Sequence, residues 1–200
     1  PNVQMRRTIS ATLGRNTIEF VDEFFNAGNT DVPHAWLLHV NFGYPLVDRG
    51  SELCYDATKV EPMDTEMSRA YFREGVNYKR ISDPLKQHSA ESSVVGYVYP
   101  KAIDRSGRTT VAIVNRRLRL GVAIHYNTNE FPRCGNWQHF GRREYVTALE
   151  PMNGTVEGRD KDRARGLLDT LKAGTRKTYR YQLEIATDRQ RIEQLREIGR

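Results

Sequence analysis

The stretch that most narrows the choice of fold is TTVAIVNRRLRLGVAIHYN, residues 109–127. Val111 and Ile113 precede a turn near Asn115, and Leu118, Leu120, Val122 and Ile124 follow it, each set recurring at every second position. A period of two lines up apolar side chains on one face of an extended strand, whereas a helix needs them three and four residues apart. The segment therefore reads as an antiparallel hairpin whose charged outer face carries Arg116, Arg117 and Arg119.

Similar patterning recurs along the chain. MRRTISATLGRNTIEFVDEFFNAG, from Met5, is a series of β-prone runs broken by Gly14, Asn16, Asn26 and Gly28, and turn residues at that spacing separate strands. HAWLLHVNFGYPL (34–46) is a strand region ending in an Asn-x-Gly turn, and SSVVGYVYP (92–100), EYVTALEPMNG (144–154) and TYRYQLEIAT (178–187) are further strands. Asp56–Gln87 is polar and irregular, a long surface excursion with a short helix expected in SRAYFREGVNYKR (68–80). RDKDRARGLLDTLKAGT (159–175) is expected to be a charged segment followed by a short apolar helix or turn stopped by Gly174, with a structural role. The last element, residues 188–199, is a helix with Asp188 as N-cap and Ile192, Leu195 and Ile198 on one side. The expected fold is all-β: antiparallel sheets with a few short helices, in one domain spanning residues 1–200, with no repeat or internal linker.

Composition excludes several functions. No stretch approaches the roughly 20 apolar residues of a membrane helix, so a soluble protein with no membrane partner is expected. The excess of 31 basic over 25 acidic residues is spread along the chain and suggests no nucleic-acid partner; a basic surface that did bind nucleic acid or an acidic polysaccharide would lose affinity steeply with salt. Cys54 and Cys134 lack metal-type spacing and read as isolated thiols of a reducing, cytoplasmic compartment, with a single disulfide between them as the alternative. P-loop, GxGxxG, HExxH and Cys-x-x-Cys patterns do not occur. His34 and His39, five apart, would face opposite sides of a strand, which argues against a shared metal.

Two residues ask for a chemical explanation. His39 sits between an apolar run and a turn; it is either an edge histidine satisfied by backbone or a general acid or base, the role for which histidine's ordinary pKa suits it. Asn41, Gly43 and Tyr44 follow it closely, a polar side chain, a close-approach position and an aromatic face of the kind a polyol site uses. Glu150 follows Ala148 and Leu149 and precedes Pro151. It is either a solvent-facing strand end or a buried carboxylate, which is costly without a partner or a task and whose pKa burial would raise. Trp137 is expected in a loop beside His139 and Gly141, where it would stack on a sugar or simply pack. Asn153, within an Asn-x-Thr glycosylation pattern that has no meaning in a cytoplasmic protein, joins Asn41, Tyr44 and Trp137 as an expected substrate contact.

RTISATLGRNTIEFVDEFFNAG, LLHVNFGYPLVDRGSEL, EYVTALEPMNG and GLLDTLKAGTRKTYRYQLEI, in that order, resemble the C-terminal half of the aldose 1-epimerase (galactose mutarotase-like) superfamily, in its DUF4432 branch. The resemblance runs from about Arg7 to Ile185 and is sharpest in HVNFGYPL and LEPMN. It implies an antiparallel β-supersandwich that binds a sugar in an open cleft. It also implies His39 as the general acid, Glu150 as the general base, and an isomerisation of sugar anomers that needs no cofactor. The alternative is a non-catalytic carbohydrate-binding or regulatory protein on the same scaffold. Family members have an N-terminal half that completes the sandwich and contributes an arginine to the sugar site, and this chain starts where that half should have ended. It is therefore expected to need the missing N-terminal half, a partner chain or a homodimeric copy to cover its exposed sheet edges. The family's sugar-binding aspartate has no matched position here.

Overall fold

A computed structural model describes residues 2–86 and 93–200. The alternation that marks the hairpin forms β8 (Arg108–Asn115) and β9 (Leu120–Asn127), with Val111 opposite Ile124 and Ile113 opposite Val122. Val111, Ile113 and Ile124 are fully buried. Leu118 departs from the pattern: it lies in the turn, next to Arg119 with its left-handed φ of 52°, and stays exposed.

The other strands are β1 (Val3–Ala11), β2 (Thr17–Asn26), β3 (Val32–His34), β4 (Val40–Gly43), β5 (Glu52–Tyr55), β6 (Ala57–Pro62), β7 (Ser93–Pro100), β10 (Arg133–Gly141), β11 (Glu144–Met152), β12 (Asp169–Leu171) and β13 (Arg176–Ala186). Of the thirteen strands among the described residues, six form one sheet in the order β1-β2-β13-β9-β8-β5, five form a second in the order β4-β11-β10-β7-β6, and β3 pairs with β12. Every pairing among the described residues is antiparallel. Leu53, Val98, Val111, Ile113, Ile124, Phe131 and Leu149 fill the space between the two large sheets. On the outer side of the six-stranded sheet, Ala112, Ala123 and Ala186 leave room for α3 (Arg189–Arg196) to bury Ile192 and Leu195. The Asp188 side chain accepts the Arg191 backbone N–H at 3.0 Å and caps this helix.

Three expectations need correction. Asp56–Gln87 is not one loop: it contains β6 and α1 (Glu66–Tyr71), capped by Thr65 and ended by Phe72, so only the first residues of Ser68–Arg80 are helical. Its polarity is that of an edge strand with a solvated face; Gln87 itself, like Ser92, lies outside the described residues. In 159–175 the helix, α2 (Arg159–Ala164), is the charged part, and the apolar part is β12, which carries Leu171 into the core. Trp137 is in a strand, not a loop. The core-facing positions of β10 include Asn136 and Gln138, whose amides are satisfied by Tyr55 Oη at 3.1 Å and the Tyr78 carbonyl at 2.7 Å, so the strand lacks the expected apolar alternation.

One side of the sandwich is uncovered. β5 runs directly into β6 at one pair of sheet edges, which leaves β1 and β4 as edges on the other side. The Arg7 guanidinium of β1 lies 5.9 Å from the ring of Trp36, which leads toward β4. Met5 and Ile9 are paired with Phe24 and Phe20, so they share the core-facing side of the sheet, yet they are 43% and 60% exposed. Val3, Ile18 and Ile185 are also exposed. The five-stranded sheet does not reach far enough to cover β1. No helix among the described residues is long and apolar enough to cross a membrane.

Candidate functional site

The outer face of the five-stranded sheet gathers the candidate residues. In β11, Leu149 points into the core and is fully buried, so alternation turns Glu150 to the other face, beside Ala148 and Met152. The preceding segment is fixed against this strand by the Leu38 N–H donating to the Pro151 carbonyl at 2.9 Å and by the Leu37–Met152 bridge. His39 therefore lies just before β4 rather than at the end of a strand. Its Nε2 is 3.0 Å from Glu150 Oε1. The imidazole is half exposed, while the Glu150 carboxyl is buried, and burial pushes its pKa from 4.5 up to about 7.

The predicted substrate residues divide. Trp137 shares this face: its ring meets that of His39 edge-on at 5.6 Å, and its indole N–H donates to Ser93 Oγ at 2.7 Å. Asn41 is paired with Ala148 and is exposed on the same face. Tyr44 lies beyond Gly43, which pairs with Val146 at the far end of the ladder from Glu150, and its ring is exposed. Asn153 is not brought to the pair. It turns inward, accepting from the Trp36 N–H at 2.7 Å and donating to Tyr179 Oη at 2.9 Å and the His34 carbonyl at 3.3 Å. Every polar atom of that amide is in use, and its bonds tie the end of β11 to Trp36, His34 and Tyr179.

Sequence reasoning missed Ser93, which anchors the indole, and Gly135, which is paired with Glu150. The signal for Gly135 was two-residue spacing from Trp137, readable only once 133–141 is recognised as a strand. His34, buried and bonded to Tyr179 Oη at 3.0 Å, has no part in the site. Cys54 and Cys134 are free and buried. Among the described residues no group of three or more His, Cys, Asp and Glu side chains could hold a metal ion.

A groove of about 910 Å³ on the outer face of the six-stranded sheet is a weaker candidate. Its histidine, His125, is held by Thr110 Oγ1 at 2.9 Å and Glu184 Oε2 at 2.7 Å, and Arg191 clamps Glu184, a closed network of paired groups.

The family model described as domain of unknown function DUF4432 matches residues 1–185. The structure resembles a provisionally assigned aldose 1-epimerase from Klebsiella pneumoniae subsp. pneumoniae MGH 78578, with a TM-score of 0.85 at 18% identity, over 99% of this chain and 52% of that one. A galactose mutarotase related enzyme from Lactobacillus acidophilus matches with a TM-score of 0.62 at 13% identity, over 92% and 61% of the two chains. A galactose mutarotase-like protein from Lactobacillus casei ATCC 334 matches with a TM-score of 0.61 at 14% identity, over 92% and 63%. At these identities the likeness is one of fold, and the chain spans between half and two thirds of each of these structures. No curated protein matches the sequence.

Proposed function

This chain belongs to the DUF4432 family, and from that membership and its galactose mutarotase-like fold we propose that it is an aldose 1-epimerase-like isomerase. It interconverts the anomers of a free sugar or sugar acid. The observation that supports this reading is the contact between half-exposed His39 and buried Glu150 at 3.0 Å.

The chemistry follows from the substrate. The anomeric hydroxyl and the ring oxygen are both bonded to C1, so a base for one and an acid for the other must stand side by side. Glu150 takes the proton of the C1 hydroxyl as the C1–O5 bond breaks, and His39 delivers a proton to O5. Rotation about C1–C2 presents the other face of the aldehyde, and closure returns both protons to where they started. No electron leaves or enters, and the Glu150 value of about 7 suits a base that must both take and return a proton near neutrality. Asn41 and Trp137 flank the pair as substrate contacts, and exposed Tyr44, beyond the far end of β4, is a more distant one.

The uncovered side bears on the same reading. His39 and Asn41 stand at the β4 edge, so β structure added beside β1 and β4 would cover Met5 and Ile9 and wall the sugar site. A longer chain, a partner polypeptide or a second copy would supply it, and with it the remaining sugar contacts.

The test is anomer exchange followed by NMR on a panel of aldoses and uronic acids, with wild type and Glu150→Gln in parallel. Exchange accelerated by wild type and lost in the variant is expected. Sugar binding without exchange in either protein would overturn the catalytic assignment in favour of a carbohydrate-binding role.

A further inference from the structure

We propose that Gly135 is a positioning residue: the missing side chain at this position is the space in which the Glu150 carboxylate lies when it meets His39. This inference rests on the reading of that pair as base and acid.

Gly135 and Glu150 are direct partners in the β10–β11 ladder. A Cβ on Gly135 would stand 2.7 Å from Glu150 Oε2, 3.3 Å from Glu150 Cβ and 2.7 Å from Met152 Cε. The glycine is not required by a turn, since it sits inside a regular strand without a positive φ, where glycine otherwise only weakens the sheet. Of the atoms a methyl would meet, Met152 Cε is the free end of a flexible chain, but Met152 is as buried as Glu150, so its contact is separated from that of Glu150 by substitution. In the Glu150 carboxylate, the oxygen that would be displaced shares its carbon with Oε1, which holds His39 Nε2 at 3.0 Å. Glu150 is also buried, so it has little room to turn away. Any side chain at 135 therefore separates base from acid.

The experiment is Gly135→Ala in the full chain. Anomer exchange is expected to lose kcat by about 10- to 100-fold with KM little changed, as for a small misplacement of a reacting group. The Glu150 carboxyl titration, followed by carbon NMR, is expected to move. Adding Met152→Ala removes the methionine contact alone; recovery of kcat in Gly135→Ala/Met152→Ala would overturn the proposal, because the effect would then pass through packing. If wild type exchanges no sugar, the acid–base reading fails, but the titration still tests Gly135, and an unmoved Glu150 titration overturns its role. If Gly135→Ala does not fold, Glu150→Asp, which withdraws the carboxyl by one methylene, is expected to restore folding to the double variant; a double variant that also fails to fold overturns the proposal.

Discussion

Nε2 of His39 lies 3.0 Å from Oε1 of Glu150, although the imidazole is half in solvent and the carboxyl is buried in the sheet. Two adjacent titratable groups in such different surroundings have the asymmetry an acid–base pair needs. His39→Ala and Glu150→Gln are each expected to slow anomer exchange at least 100-fold, within the range of lost acid–base catalysis. Both variants are expected to keep the far-UV circular dichroism of the wild type. A double variant no slower than either single one would show that the two act as a unit; full activity in either single variant would refute the assignment.

The buried carboxyl gives the pair a pH signature. Glu150 titrates at about 7 in the folded protein against an ordinary 4.5. Between those values the folded state holds a proton that the unfolded chain has released, so stability falls as pH rises from about 4.5 to about 7 and then levels. At about 1.4 kcal/mol per pH unit the loss is on the order of 3 kcal/mol. Urea unfolding at pH 5 and pH 8 is expected to show this drop in wild type and a smaller one in Glu150→Gln. The base form of Glu150 appears as pH rises through about 7, which gives the activity profile an ascending limb there. A profile with no ascending limb would be inconsistent with Glu150 as the base.

Which parts of the structure were legible follows from where each strand keeps its apolar residues. β8 and β9 present Val111, Ile113, Val122 and Ile124 at strict alternation, so the hairpin could be read directly. β10 could not, because Asn136 and Gln138 take core positions and are satisfied by Tyr55 and Tyr78, partners distant in sequence. β6 was hidden by the polarity of an edge strand. In the candidate site, His39 and Glu150 could each be singled out by their neighbours, but nothing local in sequence brings residue 39 to residue 150. That is done by the Leu38–Pro151 hydrogen bond and the Leu37–Met152 bridge. For Asn153, nothing local in sequence shows that Trp36, His34 and Tyr179 converge on its amide.

Asn153 therefore predicts a stability phenotype in place of a binding one. Asn153→Ala removes the acceptor of the part-buried Trp36 N–H and a donor to the His34 carbonyl, at a cost of about 2 kcal/mol. Thermal unfolding is expected to shift down while the sugar KM of the folded protein stays the same. A raised KM with unchanged stability would return Asn153 to the sugar site.

The uncovered sheet face yields the last prediction. Met5 and Ile9 lie on the core-facing side of β1, a strand with a free backbone edge, and exposed apolar edges of this kind pair with whatever β structure is available. The chain on its own is expected to self-associate with rising concentration in sedimentation experiments. Ile9→Lys should weaken that association without unfolding the protein, because Ile9 is already exposed in the single chain and its removal opens no cavity. The same substitution is expected to slow anomer exchange, since the β4 edge that carries Asn41 and adjoins His39 opens on that side of the sandwich. Association that is insensitive to Ile9→Lys would place the contact elsewhere. A chain that remains monomeric and fully active would show that the site is complete without a cover.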